Sequence, residues 1–216
     1  MRSATVTSMV FAALAALVEG SAFGHVPYFE HRDFSGQRPF QVASITQSIA
    51  VYSWLEPSGG DPGDVDVYRF EISQPTRIFV EALVPMCPEY EGFLPAFAVV
   101  GPGLPQPGVE LPFELPPGYG AVLVENFKPG QERPTFYEPF GGKSYYDGPD
   151  FDQLCEEPGT YYVYFWDPKG NVGDYVAVLG YQEIWRFRDI VRGLVFTPLI
   201  RLNLELHTVC EAGVSE

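Results

Sequence analysis

The residues best suited to chemistry in this chain are oxygen donors gathered at turns. Asp64 and Asp66 open one alternating segment, and Asp167, Asn171 and Asp174 fall in the turn after another. Calcium takes about six to eight oxygens from carboxylates, amides and carbonyls held by loops. These five residues are therefore candidate calcium ligands, although the same residue types favour turns without any ion. The histidines are His25, His31 and His207. Were export to expose His25 as the first residue, its amine and imidazole would form a copper brace, with His31 or His207 as a further ligand. Copper is thus the alternative metal. Glu138, Asp147, Asp150, Asp152, Glu156 and Glu157 surround an aromatic stretch. Two carboxylates across such a cleft would be a glycosidase arrangement, but acids are also ordinary in surface loops. Phe136, Tyr137, Tyr145, Tyr146 and Phe151 suit a face that recognises sugar or peptide, and equally a packed core. Of these, Tyr137, Tyr145 and Tyr146 are the candidate ligand-binding residues. No GxSxG, P-loop or GxGxxG occurs.

Short strands must hold these residues. The chain has 216 residues and is 46% hydrophobic, enough for one ample core. Its 21 prolines, 22 glycines and 15% aromatics favour strands linked by turns over long helices. The net charge of -15 repels phosphate backbones, which excludes nucleic acid as a natural partner. Such acidity also suits cation binding, a saline habitat or plain solubility.

Residues 1–24 read as a secretory signal. Arg2 starts it, Met9 to Val18 is an apolar run too short to span a bilayer, and Ala22 and Gly24 sit at cleavage-site spacing. Gly20 and Ala22 form a second such pair, and an uncleaved anchor is the other reading. Export makes a disulfide natural. Of Cys87, Cys155 and Cys210, the first two bracket the proline-rich middle and are the expected pair, with Cys210 the rival partner for either.

Residues 25–43 form a polar extended arm. Ser44 to Leu55, Asp64 to Ile72, Arg77 to Val84, Phe97 to Val100 and Gly120 to Glu125 read as strands, with Tyr68, Phe70 and Ile72 on the same face as Asp66. Prolines recur from Pro85 to Gly118, yet the stretch is apolar enough to pack on the domain. Phe127 to Cys155 shows no clear period. Tyr161 to Trp166 and Tyr175 to Leu179 read as two strands of a hairpin with aromatics on both faces, which needs a second layer. In residues 181–216, Ile184, Phe187, Ile190, Val191 and Leu194 take helical spacing, and Pro198 breaks or kinks the helix before a second short one. Arg186, Arg188, Arg192 and Arg201 make this the basic region. The tail either docks on the acidic domain or lies on an anionic membrane surface.

DVDVYRFEI, LVP, FAVVGPG, PGTYYVYFWDP and GDYVAVLG, between Ser44 and Gly180, resemble bacterial pre-peptidase C-terminal domains and the related collagen-binding domains of clostridial collagenases. The resemblance implies a secreted β-sandwich of jelly-roll type, an accessory role beside an enzyme, and in some relatives calcium held by acidic loops. The middle, Pro85 to Cys155, is longer than that family carries, and residues 1–216 include no catalytic domain, so the accessory role does not carry over intact. An N-terminal His25 on an exported sandwich is similar to lytic polysaccharide monooxygenases and bacterial copper carriers. The expected fold is all-β: an antiparallel sandwich over residues 44–180, with a long proline-rich insertion and a C-terminal helical tail. The expected function is that of an exported, non-catalytic binding or structural module, stabilised by calcium, that recognises an extracellular polysaccharide or protein. A copper protein using His25 is the alternative.

Overall fold

The structure is a computed structural model that describes residues 24–57, 63–128, 130–208 and 210. The signal reading of residues 1–24 therefore lies outside the described residues, Gly24 excepted. Among the described residues, eleven strands form two sheets. Their bounds are Val26–Phe29 (β1), Phe40–Gln41 (β2), Ile49–Leu55 (β3), Asp66–Ile72 (β4), Thr76–Pro85 (β5), Ala96–Gly101 (β6), Gly120–Val124 (β7), Thr135–Glu138 (β8), Lys143–Cys155 (β9), Gly159–Trp166 (β10) and Gly173–Leu179 (β11). One sheet has the order β1-β3-β11-β5-β9-β8 and the other β2-β4-β10-β6-β7. The pairs are antiparallel except β1 with β3 and β2 with β4, which are parallel. The expected sandwich is present, and the strands read from alternation are all there.

Alternation explains the core. In β10, Tyr161, Val163 and Phe165 are fully buried between the sheets, while Tyr162 and Tyr164 face outward. In β4 the inward face carries Tyr68, Phe70 and Ile72. Burying side chains of this size contributes roughly 1.5–3 kcal/mol each. The outward faces are covered as well. Leu111, Phe113 and Leu115 of the proline-rich stretch pack against Ala98, Val100 and Trp166, and Phe113 stacks on Tyr164 at 3.8 Å. The insertion is thus a third layer over the smaller sheet, as its apolar content implies.

Four expectations are corrected. The late strand pair is not a hairpin: β10 and β11 lie in different sheets, and the turn between them carries the chain across the sandwich. β11 is buried on both faces and β10 is buried on one and half-covered on the other, and each takes a central place in its own sheet. The arm is not merely extended; β1 and β2 form the edge of one sheet and then the other. The stretch after Phe127 contains β8 and the 13-residue β9, whose period is broken by a register shift opposite Glu81 and Leu83. The tail holds one helix, Phe187–Arg201 (α1), which runs through Pro198. A proline there loses the bond to the carbonyl one turn back and crowds that carbonyl, a cost that the helix bears without ending.

Gly180 turns the chain out of β11 at a φ of +77°, and an added Cβ would lie 2.3 Å from the Gln47 carbonyl oxygen. No side chain fits that corner. The tail then crosses to α1, which packs on β1: Phe196 stacks on Phe29 at 4.4 Å, and Gln47 Nε2 donates to the buried Asp189 at 3.0 Å.

The expected Cys87–Cys155 disulfide is also corrected. Cys87 is joined to Cys210, and Cys155 is a free buried thiol. Sheet register explains it. Cys155 pairs with Thr76 at the start of β5, whereas Cys87 lies two residues past its end. At about 3.4 Å per residue, the strand holds the two cysteines roughly 30 Å apart. The observed bridge closes a separation of 123 residues, which chain entropy values at roughly 4–5 kcal/mol. Cys210→Ser should lower Tm by roughly 5–15 °C. Non-reducing peptide mapping should recover the Cys87 and Cys210 peptides as one species. Recovery of a Cys155 peptide in a disulfide would contradict this pairing.

Candidate metal centre

Between β1 and β2 the chain crosses from the edge of one sheet to the edge of the other. Glu30 and Asp33 lie on this crossing. Glu30 is pinned from both sides: its Oε1 accepts from the Phe34 amide at 3.1 Å and its Oε2 from the Trp54 amide at 2.9 Å. The Val67 amide donates to the Phe34 carbonyl at 2.5 Å, which brings the crossing against β4. Asp66 opens β4 and shares the parity of Tyr68 and Phe70, so it points inward and is fully buried. One carboxylate oxygen from each of Glu30, Asp33 and Asp66 lies within 4.8 Å of the others.

The cluster is short of positive charge. Burial raises the Glu30 carboxyl to about 8, with the Asp64 and Asp33 charges adding to it and the Trp54 and Phe34 amides opposing it. Burial, then the Glu30 charge, holds Asp66 well above the carboxylate range despite the bond from Tyr175. Asp33 is raised by burial and by Asp64, against Arg38. Asp66 Oδ2 accepts from the Tyr175 hydroxyl at 2.7 Å, but Oδ1 is buried with no hydrogen-bond partner, and so is Asp33 Oδ1. An unpaired buried carboxylate oxygen costs about 1–3 kcal/mol or more. An all-oxygen donor set with this spread fits an ion with bonds of about 2.3–2.6 Å, the range of calcium. The residues present fit a hard divalent cation.

Of the five predicted calcium ligands, the structure brings only Asp64 and Asp66 to this place. Asp64 Oδ2 accepts from the Glu56 amide at 2.8 Å, beside the cluster. Asp167 Oδ1 accepts from the amides of Lys169 and Asn171 and from Asn171 Nδ2, and its Oδ2 from the Leu94 amide, so both residues organise the turn after β10. Asp174 accepts from the Tyr90 hydroxyl at 2.5 Å and the His207 amide at 2.8 Å, and its Oδ1 lies 2.7 Å from His207 Nδ1. Glu30 and Asp33 escape a sequence reading because nothing in the polar arm shows that it crosses the sandwich edge.

The copper ligands do not converge. His25 precedes β1 with Nδ1 on Ser48 Oγ, and burial lowers its pKa. His31 follows β1, where it meets the rings of Phe29 and Phe196. The intervening extended chain spans roughly 15–20 Å. His207 stacks on Trp54 at 4.5 Å.

The tyrosines part company too. Tyr145 is buried under the outer face of the larger sheet, and Tyr137 is exposed on the edge strand β8. Tyr146 lines a cleft of about 680 Å³ with Lys128, Arg133 and Lys169, and the Arg133 guanidinium lies 4.1 Å over its ring. Among the acids, Asp152 is held by Arg77 through two contacts of 2.5 and 2.6 Å, and Glu138 caps the Phe140 and Gly141 amides. Glu156 and Glu157 are exposed.

Asp147 and Asp150 flank Glu81 across the register shift of β5 and β9. Burial, the hydrogen bond to Asp147 and the Asp147 and Asp150 charges together raise the Glu81 carboxyl to about 8. The unfolded chain ionises this group above about 4.5, while the fold keeps its proton until about 8. Its contribution to stability is therefore present at acid pH, declines between these values and is lost above them. Glu81→Gln keeps a donor toward Asp147 and removes the ionisation. Its melts should match wild type near pH 4 and exceed it above pH 8, by roughly 1–3 kcal/mol. Equal differences at both pH values would refute the shift.

No family model matches this chain, and no curated protein matches it. Among solved structures, it is similar to the pre-peptidase C-terminal domain of a collagenase from Bacillus anthracis, the family that its motifs resemble. The likeness covers 68% of this chain and 97% of that one, at 15% identity and a TM-score of 0.36.

Proposed function

We propose that this chain is an exported, non-catalytic binding or structural module whose N-terminal crossing is clamped to the sandwich by a divalent cation, calcium by its donors. One observation carries the reading: the buried Asp66 Oδ1 has no partner and stands within 4.8 Å of carboxylate oxygens from Glu30 and Asp33. Glu30 and Asp33 would hold the ion from the crossing and Asp66 from β4, with Asp64 beside them. The ion would supply the charge that these acids lack and tie the arm across an open edge of the sandwich. Export is supported by the signal-like residues 1–24 and by the Cys87–Cys210 bridge, which suits an oxidising compartment. An extracellular polysaccharide or protein is the proposed partner, with the Tyr146 cleft as its place of contact.

Calcium binding to the folded form alone should stabilise it by about 2.7 kcal/mol at a hundredfold excess over Kd. Tm should rise by several degrees in calcium and fall back in chelator. Magnesium should replace calcium poorly, because it demands a tighter octahedron. Asp66→Asn should remove the shift, and Asp167→Asn should preserve it. Melting curves that do not move between chelator and millimolar calcium would sink the cation reading.

A further inference from the structure

The helix α1 has two opposed faces. At about 100° per residue, Asp189, Gly193, Phe196 and Ile200 share the side that meets the domain. Asp189, Gly193 and Ile200 are buried, and a Cβ on Gly193 would meet the Trp185 ring at 2.8 Å. The opposite side carries Phe187, Val191, Leu194 and Val195, exposed by 83%, 46%, 72% and 54%, and Leu202 beyond it, exposed by 67%. The tail does dock on the domain, through Asp189, Gly193, Phe196 and Ile200. The apolar stripe expected to face the sandwich faces away from it. A contiguous exposed stripe of this kind marks a surface that meets something.

We propose that this outward face lies on the surface of an anionic phospholipid bilayer, with α1 in the plane of the headgroups. Charge selects this occupant. Four of the chain's 13 Lys and Arg residues, Arg186, Arg188, Arg192 and Arg201, stand in or beside this helix, on a protein of net charge -15. Arg192 turns inward over the Tyr28 ring, and Arg201 Nε bonds the Phe140 carbonyl at 3.0 Å. By helical position, Arg188 flanks the apolar stripe, its side chain 60% exposed with Nε 3.7 Å from Asp189 Oδ1, the place of a headgroup cation on an interfacial helix. In a symmetric pair of copies through this face the same arginines would meet each other, like charge against like.

Co-sedimentation with vesicles tests this, using residues 24–216 so that the apolar run contributes nothing. Phosphatidylglycerol vesicles should bind the protein at least about tenfold more tightly than phosphatidylcholine vesicles, and added salt should weaken the binding. A Phe187→Asp/Leu194→Asp double variant should lose about tenfold or more, and Arg188→Gln about fivefold, with unchanged circular dichroism since these side chains lie outside the core. Failure of the wild type to bind would overturn the proposal. So would binding that the double variant leaves intact, or a dimer in sedimentation equilibrium that the double variant abolishes while neither protein binds vesicles.

Discussion

The two sheets are joined through a buried chain of polar groups. Asp66 of β4 accepts from Tyr175 of β11, whose hydroxyl lies 3.1 Å from that of Tyr68; Tyr68 in turn lies 2.7 Å from Ser53 Oγ of β3. The chain crosses between the sheets three times among rings that are otherwise apolar. Each hydroxyl has a partner, so these large tyrosines can fill the core without leaving a polar atom stranded. The chain ends on one unpartnered oxygen, Asp66 Oδ1, at the place where the arm crosses. Core register and the candidate metal centre therefore rest on the same side chain. A slip of β4 by one residue would turn Asp66 outward and Tyr68 with it.

Around this core, each sheet has its own covering. The proline-rich stretch lies on the smaller sheet, where its rings need no regular backbone. The larger sheet carries a second apolar cluster, with Leu83, Tyr145, Val176 and Val178 buried on its outer face beside Tyr52 and Phe79. The wrapped arrangement accounts for strands such as β11, all of whose residues are buried.

Much of the sandwich was legible because its strands alternate in the usual way. The inward face of Asp66 could be read from Tyr68 and Phe70, and one of the three clustered carboxylates with it. The other two were not legible, since Glu30 and Asp33 acquire meaning only from a crossing between sheet edges, and β1 is too short to announce itself. β9 was hidden by the register shift beside Glu81, which breaks its period. The hairpin reading of β10 and β11 failed for a related reason: alternation shows that a strand is covered on both faces but not which neighbour it takes. The helix was found from its apolar spacing. Its orientation was not, because Gly193 and Asp189 carry no hydrophobic signal and yet share the docked side with Phe196 and Ile200.

The Cys87–Cys210 bridge fixes how the tail bears load. α1 lies between Leu179, where the chain leaves the sheet, and Cys210, where the tail is fastened again beside the end of β5. Tension applied to the chain beyond residue 210 enters the domain at Cys87, next to a strand held on both sides by β11 and β9. It bypasses the helix, whose contacts with β1 lie inside the covalent loop.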